Sequence, residues 1–340
     1  MKRIAINGFG RIGRAIAKIN DKNKLFDLVL INDINPHPEN LAYLFKYDST
    51  YGRFNGNVGH GENSISINQK ESIYSSHSKL EDIPWDELSI DLLIDSSGIG
   101  KNILDGKSLI QQKKFKKMIV TNSYKDVDNE IIMGVNDDSL SPSDDVVSNS
   151  ICDANAIAHI MKWLDDEFQI LGGSLTTLHP WLAYQNLVDG TSISSSNPGV
   201  VWKDYALGRA STGNLIPKNT TAMTAVEKVL PNLHGRVLSF SYRIPTDIVA
   251  SSDITLNLGR EVSEDELKKF FVDKCASSQY INMNSESLVS MDYEMEEVSG
   301  VIDAQWLKTN GNVVKVVLWY DNEWGYSSRV LDLANKLLSL

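Results

Sequence analysis

The sequence KRIAINGFGRIGRAIAKI, residues 2–19, decides the fold of the first part of the chain. A short apolar strand, 2–6, runs into Asn7 and the spacing Gly-x-Gly-x-x-Gly, which a helix-forming segment follows. Gly8 and Gly10 allow a tight turn and a close approach of the backbone to a pyrophosphate, and Gly13 lets helix and strand pack closely. In this strand–turn–helix setting the motif predicts a dinucleotide site.

A second apolar strand, 26–31, leads to Asp33, which lies 20 positions after Gly13. An acidic side chain at this spacing hydrogen-bonds the adenosine ribose and repels a 2′-phosphate by like charge. The glycine turn and the spaced acid together therefore predict NAD as the cofactor, in preference to NADP.

The rest of the first 150 residues alternates strand and helix patterns, with further buried strands at 91–95 and 117–121. This alternation is typical of an α/β fold, a doubly wound parallel sheet covered by helices on both faces. Ser97 and Asn122 follow these two strands, at the edge where a doubly wound sheet binds its ligand. We therefore expect both residues in the cofactor site.

From residue 175 onward the pattern changes to longer strands, which predict a second α+β domain with a mixed or antiparallel sheet. The strands are expected at 175–179, 237–244, 248–258 and 312–320. A stretch rich in Ser, Asn, Pro and Gly, 191–201, predicts a long loop. The expected organisation is a Rossmann domain at 1–151, completed by a C-terminal helix at 327–340, and a second domain at 152–326.

The composition argues against several classes of protein. The chain has 340 residues, 42% of them hydrophobic, and a formal net charge of −11, which disfavours binding to nucleic acid or an anionic membrane. No apolar run has membrane-spanning length and the Met-Lys-Arg start leads into a strand, so we expect a cytoplasmic protein. Cys152 and Cys275 are too few for a disulfide framework, and no Cys/His cluster has zinc-ligand spacing. No structural metal is expected.

Cys152 is the strongest candidate for a catalytic residue. It lies between the strand-like Val146 and Val147 and a segment of helical periodicity, so the thiol is expected near a helix N-terminus, where the dipole and the N–H groups favour a thiolate. His179, 27 positions later, would supply the base of a nucleophile–base pair. The alternative for a lone cysteine is a buried and inert thiol.

Several ordered runs of sequence resemble the phosphorylating glyceraldehyde-3-phosphate dehydrogenase family, over nearly the whole chain. The runs are 6–14, LAYLFKYDSTYGRF at 41–54, MGVN at 133–136, 148–155, LTTLH at 175–179, NLIP at 214–217, RIPT at 243–246, LVSMD at 288–292 and WYDNEWGYSSR at 319–329. The resemblance implies a Rossmann domain and a catalytic domain, and usually a homotetramer.

The same resemblance implies roles for individual residues. Cys152 would be the nucleophile and His179 the general base, while Asn322 would hold the nicotinamide carboxamide and Tyr326 would pack near it. The residues that would bind the NAD backbone are Gly10, Arg11, Ile12 and Asp33. In the family, the thiolate attacks an aldehyde, hydride passes to the nicotinamide, and inorganic phosphate releases the resulting thioester as an acyl phosphate.

The sequence departs from this family around the substrate. Where the family usually reads Ser-Cys-Thr-Thr, residues 151–154 read Ile-Cys-Asp-Ala, which removes hydroxyl donors and adds an anion. Leu182 and Tyr184 stand where the family commonly has a Thr and an Asp that help hold the substrate's phosphate. Each charge-assisted hydrogen bond contributes roughly 1.5–3 kcal/mol, so losing several is expected to weaken phosphate binding by orders of magnitude. The candidate substrate residues are Ile151, Asp153, Leu182, Tyr184, Arg209, Thr220 and Arg243.

Asp153 has two interpretations. A carboxylate that faces the site would disfavour the thiolate, repel phosphate and could assist water as the acyl acceptor. A carboxylate that faces solvent would be an ordinary acid of a first helical turn.

Three functions fit the sequence. The first is an NAD-dependent aldehyde dehydrogenase with an altered, sugar-derived substrate and phosphate or water as the acyl acceptor. The second is a divergent glyceraldehyde-3-phosphate or erythrose-4-phosphate dehydrogenase. The third is a non-catalytic NAD-binding or interaction protein, against which the joint presence of Cys152, His179, Asn322 and Tyr326 argues.

Overall fold

The computed structural model describes residues 1–193 and 201–340. Two compact units make up the chain. The first consists of Met1–Ile131, Asp138–Ser150 and Ser327–Leu340, and the second of Ile132–Asp137 and Ile151–Tyr326.

The first unit is built on a nine-stranded sheet. Its elements in chain order are β1 (Arg3–Asn7), α1 (Arg11–Asn23), β2 (Asp27–Asn32), α2 (Pro38–Lys46), β3 (Tyr47–Asp48), β4 (Gly52–Arg53), β5 (Val58–Gly61), β6 (Ser64–Ile67), β7 (Lys70–Ser75), β8 (Ile90–Asp95), α3 (Asn102–Gln111), β9 (Phe115–Val120), β10 (Asn129–Glu130) and β11 (Val146–Ser148). The strand order is β10-β11-β9-β8-β1-β2-β7-β6-β5, and the pairs from β10 to β7 are parallel.

This arrangement confirms the predicted doubly wound α/β fold. Ile4, Ala5 and Ile6 of β1 are all completely buried, as expected for a central parallel strand that is covered on both faces. The strands β1, β2, β8 and β9 coincide with the four predicted strands to within two residues. The edge strands β6 and β5 pair antiparallel, which the sequence pattern did not predict.

The second unit is an α+β structure with an eight-stranded mixed sheet, as predicted. Its elements are α4 (Cys152–Phe168), β12 (Ile170–Pro180), β13 (Ile216–Lys218), α5 (Ala222–Val229), β14 (Val237–Ile244), β15 (Ala250–Leu258), α6 (Glu264–Ala276), β16 (Ile281–Asn284), β17 (Gly300–Asp303), β18 (Lys308–Asn310) and β19 (Val313–Tyr320). The strand order is β13-β14-β12-β15-β19-β17-β16, with β18 beside β19. The expected loop at 191–201 falls mainly on 194–200, outside the described residues.

The core of the second unit holds α4 against this sheet. Ile157, Ile160 and Leu164 recur at helical spacing and are completely buried, and the small side chains Ala154 and Ala156 let the first turn of α4 lie close to its neighbours. The first residue of α4 is therefore fixed by a tightly packed helix.

The last helix, α7, covers Trp324–Leu337. It begins three residues before the predicted start at 327 and ends three residues before the C-terminus at Leu340. Ser327–Leu340 belongs to the first unit by its contacts.

Candidate active site

Cys152 is the first residue of α4, as the sequence predicted. The preceding residue, Ile151, is the N-cap, with extended backbone angles of φ −124° and ψ 160°. The side chain of Ile151 has no oxygen atom, so it provides no cap for the first N–H groups of the helix. A negative charge at Cys152 would benefit from these N–H groups.

His179 lies next to the thiol, near the end of β12. Its Nε2 atom is 3.7 Å from the Sγ atom of Cys152, and its Nδ1 atom is 2.8 Å from the carbonyl oxygen of Pro180. A carbonyl oxygen can only accept a hydrogen bond, so Nδ1 carries the proton and donates it. The Nε2 atom is thereby left as an acceptor that faces the thiol, as a general base requires.

Asp153 faces the same space as Cys152 and His179, which is the orientation of the first of its two interpretations. Its side chain is buried, and its Oδ1 atom is 3.7 Å from Cys152 Sγ and 4.0 Å from His179 Nε2. The hydroxyl of Tyr320 donates a 2.8 Å hydrogen bond to Oδ1. The Tyr320 hydroxyl also lies 3.3 Å from the hydroxyl of the fully buried Ser252. A carboxylate is thus held beside the nucleophile by a fixed donor.

The pKa shifts of Cys152 and His179 favour the neutral forms of these two side chains. Burial, and then the negative charge of Asp153, raise the pKa of Cys152 well above its usual value of 9.0. Burial, reinforced by the positive charge of Arg243, lowers the pKa of His179 to about 4. The N–H of Asp153 lowers the thiol pKa, as expected at a helix N-terminus, but the two larger effects outweigh it. The sequence-based expectation of a readily ionised thiol was therefore wrong for the structure at rest.

Arg243 is placed near the pair by strand register. It lies on β14 directly opposite His179 of the parallel strand β12. Its side chain is buried and donates to the Tyr184 hydroxyl at 3.2 Å, while its Nε atom has no partner among the described residues. Tyr184 in turn contacts Trp202 edge-on, with ring centroids 5.0 Å apart. Arg243 therefore has buried hydrogen-bonding capacity left for a substrate.

Lys218 is a residue that the sequence reasoning missed. It is the last residue of β13, the strand that pairs with β14 and places Ile216 opposite Arg243. Burial, and then the positive charge of Arg243, lower the pKa of Lys218, while the charge of Asp153 acts in the opposite direction. The available signal was the position of Lys218 directly after the NLIP run at 214–217.

The other predicted substrate residues are less clearly placed in the cluster. Ile151 packs against the core of the second unit, and the backbone N–H of Leu182 donates to the Gln185 side chain. The Thr220 hydroxyl accepts from the N–H of Ala222 at 3.1 Å.

Arg209 makes a 2.8 Å ion pair with Asp189 in which both side chains are well exposed, 64% and 59%. These are not the surroundings expected for a residue of the buried cluster.

The nucleotide turn of the first unit has the close contacts that its glycines predict. Gly8 has a φ of +88°, and a Cβ atom there would lie 2.7 Å from the Ser97 nitrogen. A Cβ atom on Gly13 would lie 2.2 Å from the Gly8 carbonyl oxygen, whereas one on Gly10 would meet open space. The turn is therefore closed at Gly8 and Gly13 and open at Gly10, where a pyrophosphate would approach the start of α1.

Asp33 is held at the end of β2 by backbone donors. Its Oδ2 atom accepts from the N–H of Phe9 at 2.7 Å and its Oδ1 atom from the N–H of Asn35 at 3.0 Å. Arg11 at the start of α1 makes a 2.8 Å ion pair with Asp48. The residue after it, Ile12, is half-buried in the same helix turn.

A buried polar network lies under this turn. Asp95 accepts from the Asn7 amide at 2.9 Å and from the N–H of Ser97 at 3.0 Å, and burial raises the pKa of its carboxyl group. Asn122 accepts from the N–H of Ser123 at the end of a neighbouring strand. Asn7 and Ser97 thus belong to one network, and Asp95, which the sequence analysis did not select, connects them.

Asn322 and Tyr326 lie in the second unit, after β19 and within α7. Both side chains are buried, and the Oδ1 atom of Asn322 has no hydrogen-bond partner among the residues described. A buried amide oxygen without a donor is costly unless a ligand supplies one. The amine of a nicotinamide carboxamide is a donor of the kind that this atom lacks.

Comparison with known families identifies both parts of the chain. Residues 2–103 match the glyceraldehyde 3-phosphate dehydrogenase NAD binding domain, and residues 151–322 match the C-terminal domain of the same enzyme. Together with the glycine turn and the buried thiol–imidazole pair, these matches define an NAD-dependent oxidoreductase that acts on an aldehyde.

Similar proteins match over their whole length. Glyceraldehyde-3-phosphate dehydrogenase 1 of Kluyveromyces marxianus is 37% identical over 98% of each chain. Glyceraldehyde-3-phosphate dehydrogenase 2 of Saccharomyces cerevisiae is 36% identical over 98% of each, and the cytosolic enzyme of Gracilaria gracilis is 36% identical over 97% of this chain and 96% of its own. The chain belongs to the glyceraldehyde-3-phosphate dehydrogenase family. Within 1–193 and 201–340, no helix has the length and apolar character needed to cross a membrane.

Proposed function

We propose that this protein oxidises a sugar-derived aldehyde other than glyceraldehyde 3-phosphate, with Cys152 as the nucleophile and His179 as the general base. The supporting observation is the buried carboxylate of Asp153, whose Oδ1 atom lies 3.7 Å from the thiol. The distance of 3.7 Å between Cys152 Sγ and His179 Nε2 supports the catalytic pair.

The first step follows from the tautomer of His179. Because its Nδ1–H donates to the Pro180 carbonyl, Nε2 can take the thiol proton as Sγ attacks the carbonyl carbon. The pKa shifts of both groups favour neutral partners at rest, so we expect proton transfer to accompany attack. The product is a thiohemiacetal on Cys152, with the proton on its hydroxyl group.

In the second step Nε2 of His179 removes the hydroxyl proton while hydride leaves the same carbon, which gives a thioester on Cys152 and an imidazolium. NAD, when bound, supplies the hydride acceptor. In the second unit, Asn322 and Tyr326 would position the nicotinamide. In the first unit, other parts of NAD would be bound by Asn7, Gly8, Gly10, Ser97 and Asn122.

Release of the thioester needs a nucleophile, and Asp153 bears on which one acts. Two like unit charges 4 Å apart cost about 4 kcal/mol where the effective dielectric constant is 20, so a phosphate anion beside the Asp153 carboxylate is disfavoured. Water carries no charge, and a carboxylate can accept its proton. We therefore favour water over inorganic phosphate as the acyl acceptor.

The polar groups of the site also affect which aldehyde can bind. Leu182 offers no side-chain donor, and Arg243 already donates one of its N–H groups to the Tyr184 hydroxyl at 3.2 Å. A terminal phosphate would therefore be held by fewer donors than the family usually provides. An aldehyde with hydroxyl groups, or a larger one, suits the site better.

One observation favours a second candidate, a divergent glyceraldehyde-3-phosphate or erythrose-4-phosphate dehydrogenase. Arg243 keeps an unpartnered buried Nε atom, and the half-buried Lys218 adds a second cation, whose pKa is lowered by burial and then by the charge of Arg243. Two neighbouring cations are a reasonable site for a phosphorylated substrate.

We further infer a homotetramer in the cytoplasm, with a Rossmann domain at 1–151 and 327–340 and a catalytic domain at 152–326. Leu238 and Phe240 on β14 are 77% and 43% exposed on one face of the sheet, which supports an association surface. The relative from Gracilaria gracilis is named as cytosolic. Mass measurement in solution tests the tetramer, and a monomer at micromolar concentration would disprove it.

The deciding experiment is a panel of aldehydes assayed for NADH formation with and without inorganic phosphate. We expect a higher kcat/KM for an unphosphorylated or longer aldehyde than for glyceraldehyde 3-phosphate, and turnover without phosphate. A kcat/KM of about 10⁵ M⁻¹s⁻¹ or more for glyceraldehyde 3-phosphate, with strict phosphate dependence, would establish the second candidate instead.

A further inference from the structure

Three different metal-ligand atoms meet at the start of α4. They are the Sγ atom of Cys152, the Oδ1 atom of Asp153 and the Nε2 atom of His179, and they all lie within 4.8 Å of one another. We infer that these atoms form a three-ligand Zn²⁺ site, at which the ion binds reversibly in competition with the aldehyde. The inference is independent of which aldehyde is the substrate.

The distances between the three atoms fit zinc. The sides of the triangle are 3.7 Å, 3.7 Å and 4.0 Å. A point equidistant from the three atoms lies about 2.2 Å from each, close to the usual zinc distances of about 2.3 Å to sulfur, 2.0–2.1 Å to nitrogen and 2.0–2.2 Å to oxygen. Shifts of a few tenths of an ångström would therefore complete the coordination.

The neighbouring hydrogen bonds already orient the ligand atoms. The Nδ1–H of His179 donates to the Pro180 carbonyl, which leaves the Nε2 lone pair directed at the thiol. The Tyr320 hydroxyl donates to Asp153 Oδ1 and uses one of its lone pairs, while another remains for the ion. Outer hydrogen bonds of this kind fix ligand orientation in zinc sites.

The ligand types select zinc over the abundant hard cations. A thiolate and an imidazole favour Zn²⁺, whereas Mg²⁺ and Ca²⁺ prefer oxygen ligands. When the Zn–S bond forms, Cys152 loses its proton to solvent, and the thiolate and the Asp153 carboxylate together balance the two positive charges of the ion. The cations Arg243 and Lys218 act on this cluster electrostatically and oppose the ion, so the carboxylate is needed.

Occupation of the site would stop catalysis. The ion would tie up the Sγ and Nε2 atoms that the proposed mechanism uses, and three protein ligands leave a fourth position for water. A hydroxyl side chain at position 153, which the family usually has, would be a weaker ligand than a carboxylate. Asp153 is therefore the residue that distinguishes this site from a plain cysteine–histidine pair.

The test is direct metal binding to the full chain, freed of metal by a chelator. Zn²⁺ is titrated by calorimetry, and Co²⁺ serves as a spectroscopic probe because a cobalt–thiolate bond gives an intense near-ultraviolet absorption band. We expect one Zn²⁺ per chain that depends on Cys152 and protects the thiol from alkylation. Exposed histidines should bind the same number of ions in the wild type and in Cys152→Ser, so the difference between the two titrations gives the ions bound at Cys152.

Variants of Asp153 and Cys152 test whether these residues are ligands of the ion. Asp153→Thr and Asp153→Asn should each weaken Zn²⁺ binding at least tenfold, Cys152→Ser should remove the cobalt–thiolate band, and the matched control Cys275→Ser should keep both. Circular dichroism confirms that each variant is folded. Three results would each overturn the inference: a Zn²⁺ affinity in both Asp153 variants equal to that of the wild type, a cobalt–thiolate band that persists in Cys152→Ser, or no Zn²⁺ binding that depends on Cys152.

Discussion

The nucleotide turn of this protein depends on backbone contacts, whereas the cluster of Cys152, Asp153 and His179 is made of side chains. At the turn, Gly8 and Gly13 are fixed by backbone contacts, since a Cβ atom on either would lie less than 3.0 Å from a backbone atom. At the cluster, Asp153 places a carboxylate beside Cys152 and His179, two residues at which the sequence resembles the family. A cofactor site built from backbone tolerates little change, whereas a substrate site built from side chains can be altered one residue at a time.

The largest effect should come from the nucleophile. Cys152→Ser is expected to abolish dehydrogenase turnover while leaving NAD affinity largely intact, and His179→Asn should slow hydride transfer roughly 10²–10⁴-fold. Stopped-flow measurement of NADH formation, with NAD binding followed by fluorescence, checks both. Cys275→Ser is the control and should remain active, because that cysteine lies outside the cluster. Full activity in Cys152→Ser would remove the cysteine from the mechanism.

The next effect concerns the proposed change of substrate. The double variant Asp153→Thr, Leu182→Thr restores two hydroxyl groups and removes the anion, and should raise kcat/KM for glyceraldehyde 3-phosphate by about ten- to a hundredfold. The matched control is Asp153→Asn, which removes the charge but adds no hydroxyl, and which should give a smaller rise. No change in the double variant would mean that these positions do not limit phosphate recognition.

In the glycine turn, substitution by alanine should reduce stability at Gly13 but not at Gly10. Gly13→Ala would push a methyl group to 2.2 Å from the Gly8 carbonyl oxygen, and we expect a loss of about 2–3 kcal/mol in the free energy of unfolding. Gly10→Ala meets open space and should change stability by less than about 0.5 kcal/mol. Urea unfolding without cofactor measures both. Equal stability of the two variants would contradict the close packing of helix and strand at Gly13.

Asp48, a carboxylate of the first unit, should make a contribution to the free energy of unfolding that depends on pH. Its ion pairs with Arg11 and Lys18 lower the pKa of its carboxyl group to about 2. A carboxyl pKa that is lower in the folded than in the unfolded state stabilises the fold at higher pH, and this contribution disappears as the pH falls from about 4 to 2. The wild type should lose roughly 1–2 kcal/mol more than Asp48→Asn over this interval in urea unfolding experiments. Parallel pH curves for the two proteins would rule out the contribution.

The smallest effect should be on the choice of cofactor. Asp33→Asn keeps an oxygen that can accept from the N–H of Phe9, as Oδ2 does now, but removes the charge that would repel a 2′-phosphate. The preference for NAD over NADP should therefore narrow by about tenfold, which corresponds to about 1.4 kcal/mol. Dissociation constants for both nucleotides measure it. An unchanged ratio would show that another residue sets the preference.

Much of the fold could be predicted because its signals are local. The glycine turn, the spaced Asp33 and the apolar strands β8 and β9 each lie within a short stretch of sequence, and the structure has all of them in place. The antiparallel edge strands β5 and β6 were missed because short, half-exposed strands carry little apolar periodicity.

The sequence predicted which residues lie at the site better than it predicted their ionisation. Cys152 was expected at a helix N-terminus and is there, but its ionisation depends on burial and on a carboxylate, which a helix pattern does not reveal. Lys218 and Tyr320 were missed for the same reason, because each is brought to the cluster by strand pairing. Arg209 was selected by its place in the sequence, yet it forms an exposed ion pair.

The sequence by itself determined the class of fold, the cofactor and the family, because those depend on motifs that are contiguous in the chain. Only the tertiary structure decided that Asp153 faces inward, since the same first-turn acid is compatible with solvent or site. The Tyr320 hydroxyl that holds Asp153 is 167 residues away along the chain. His179 comes to the thiol across 27 residues through the end of β12. The spacing of Cys152, Asp153 and His179 in the sequence resembles no metal motif. Their ligand atoms lie within 4.8 Å of one another because a helix packs against a sheet.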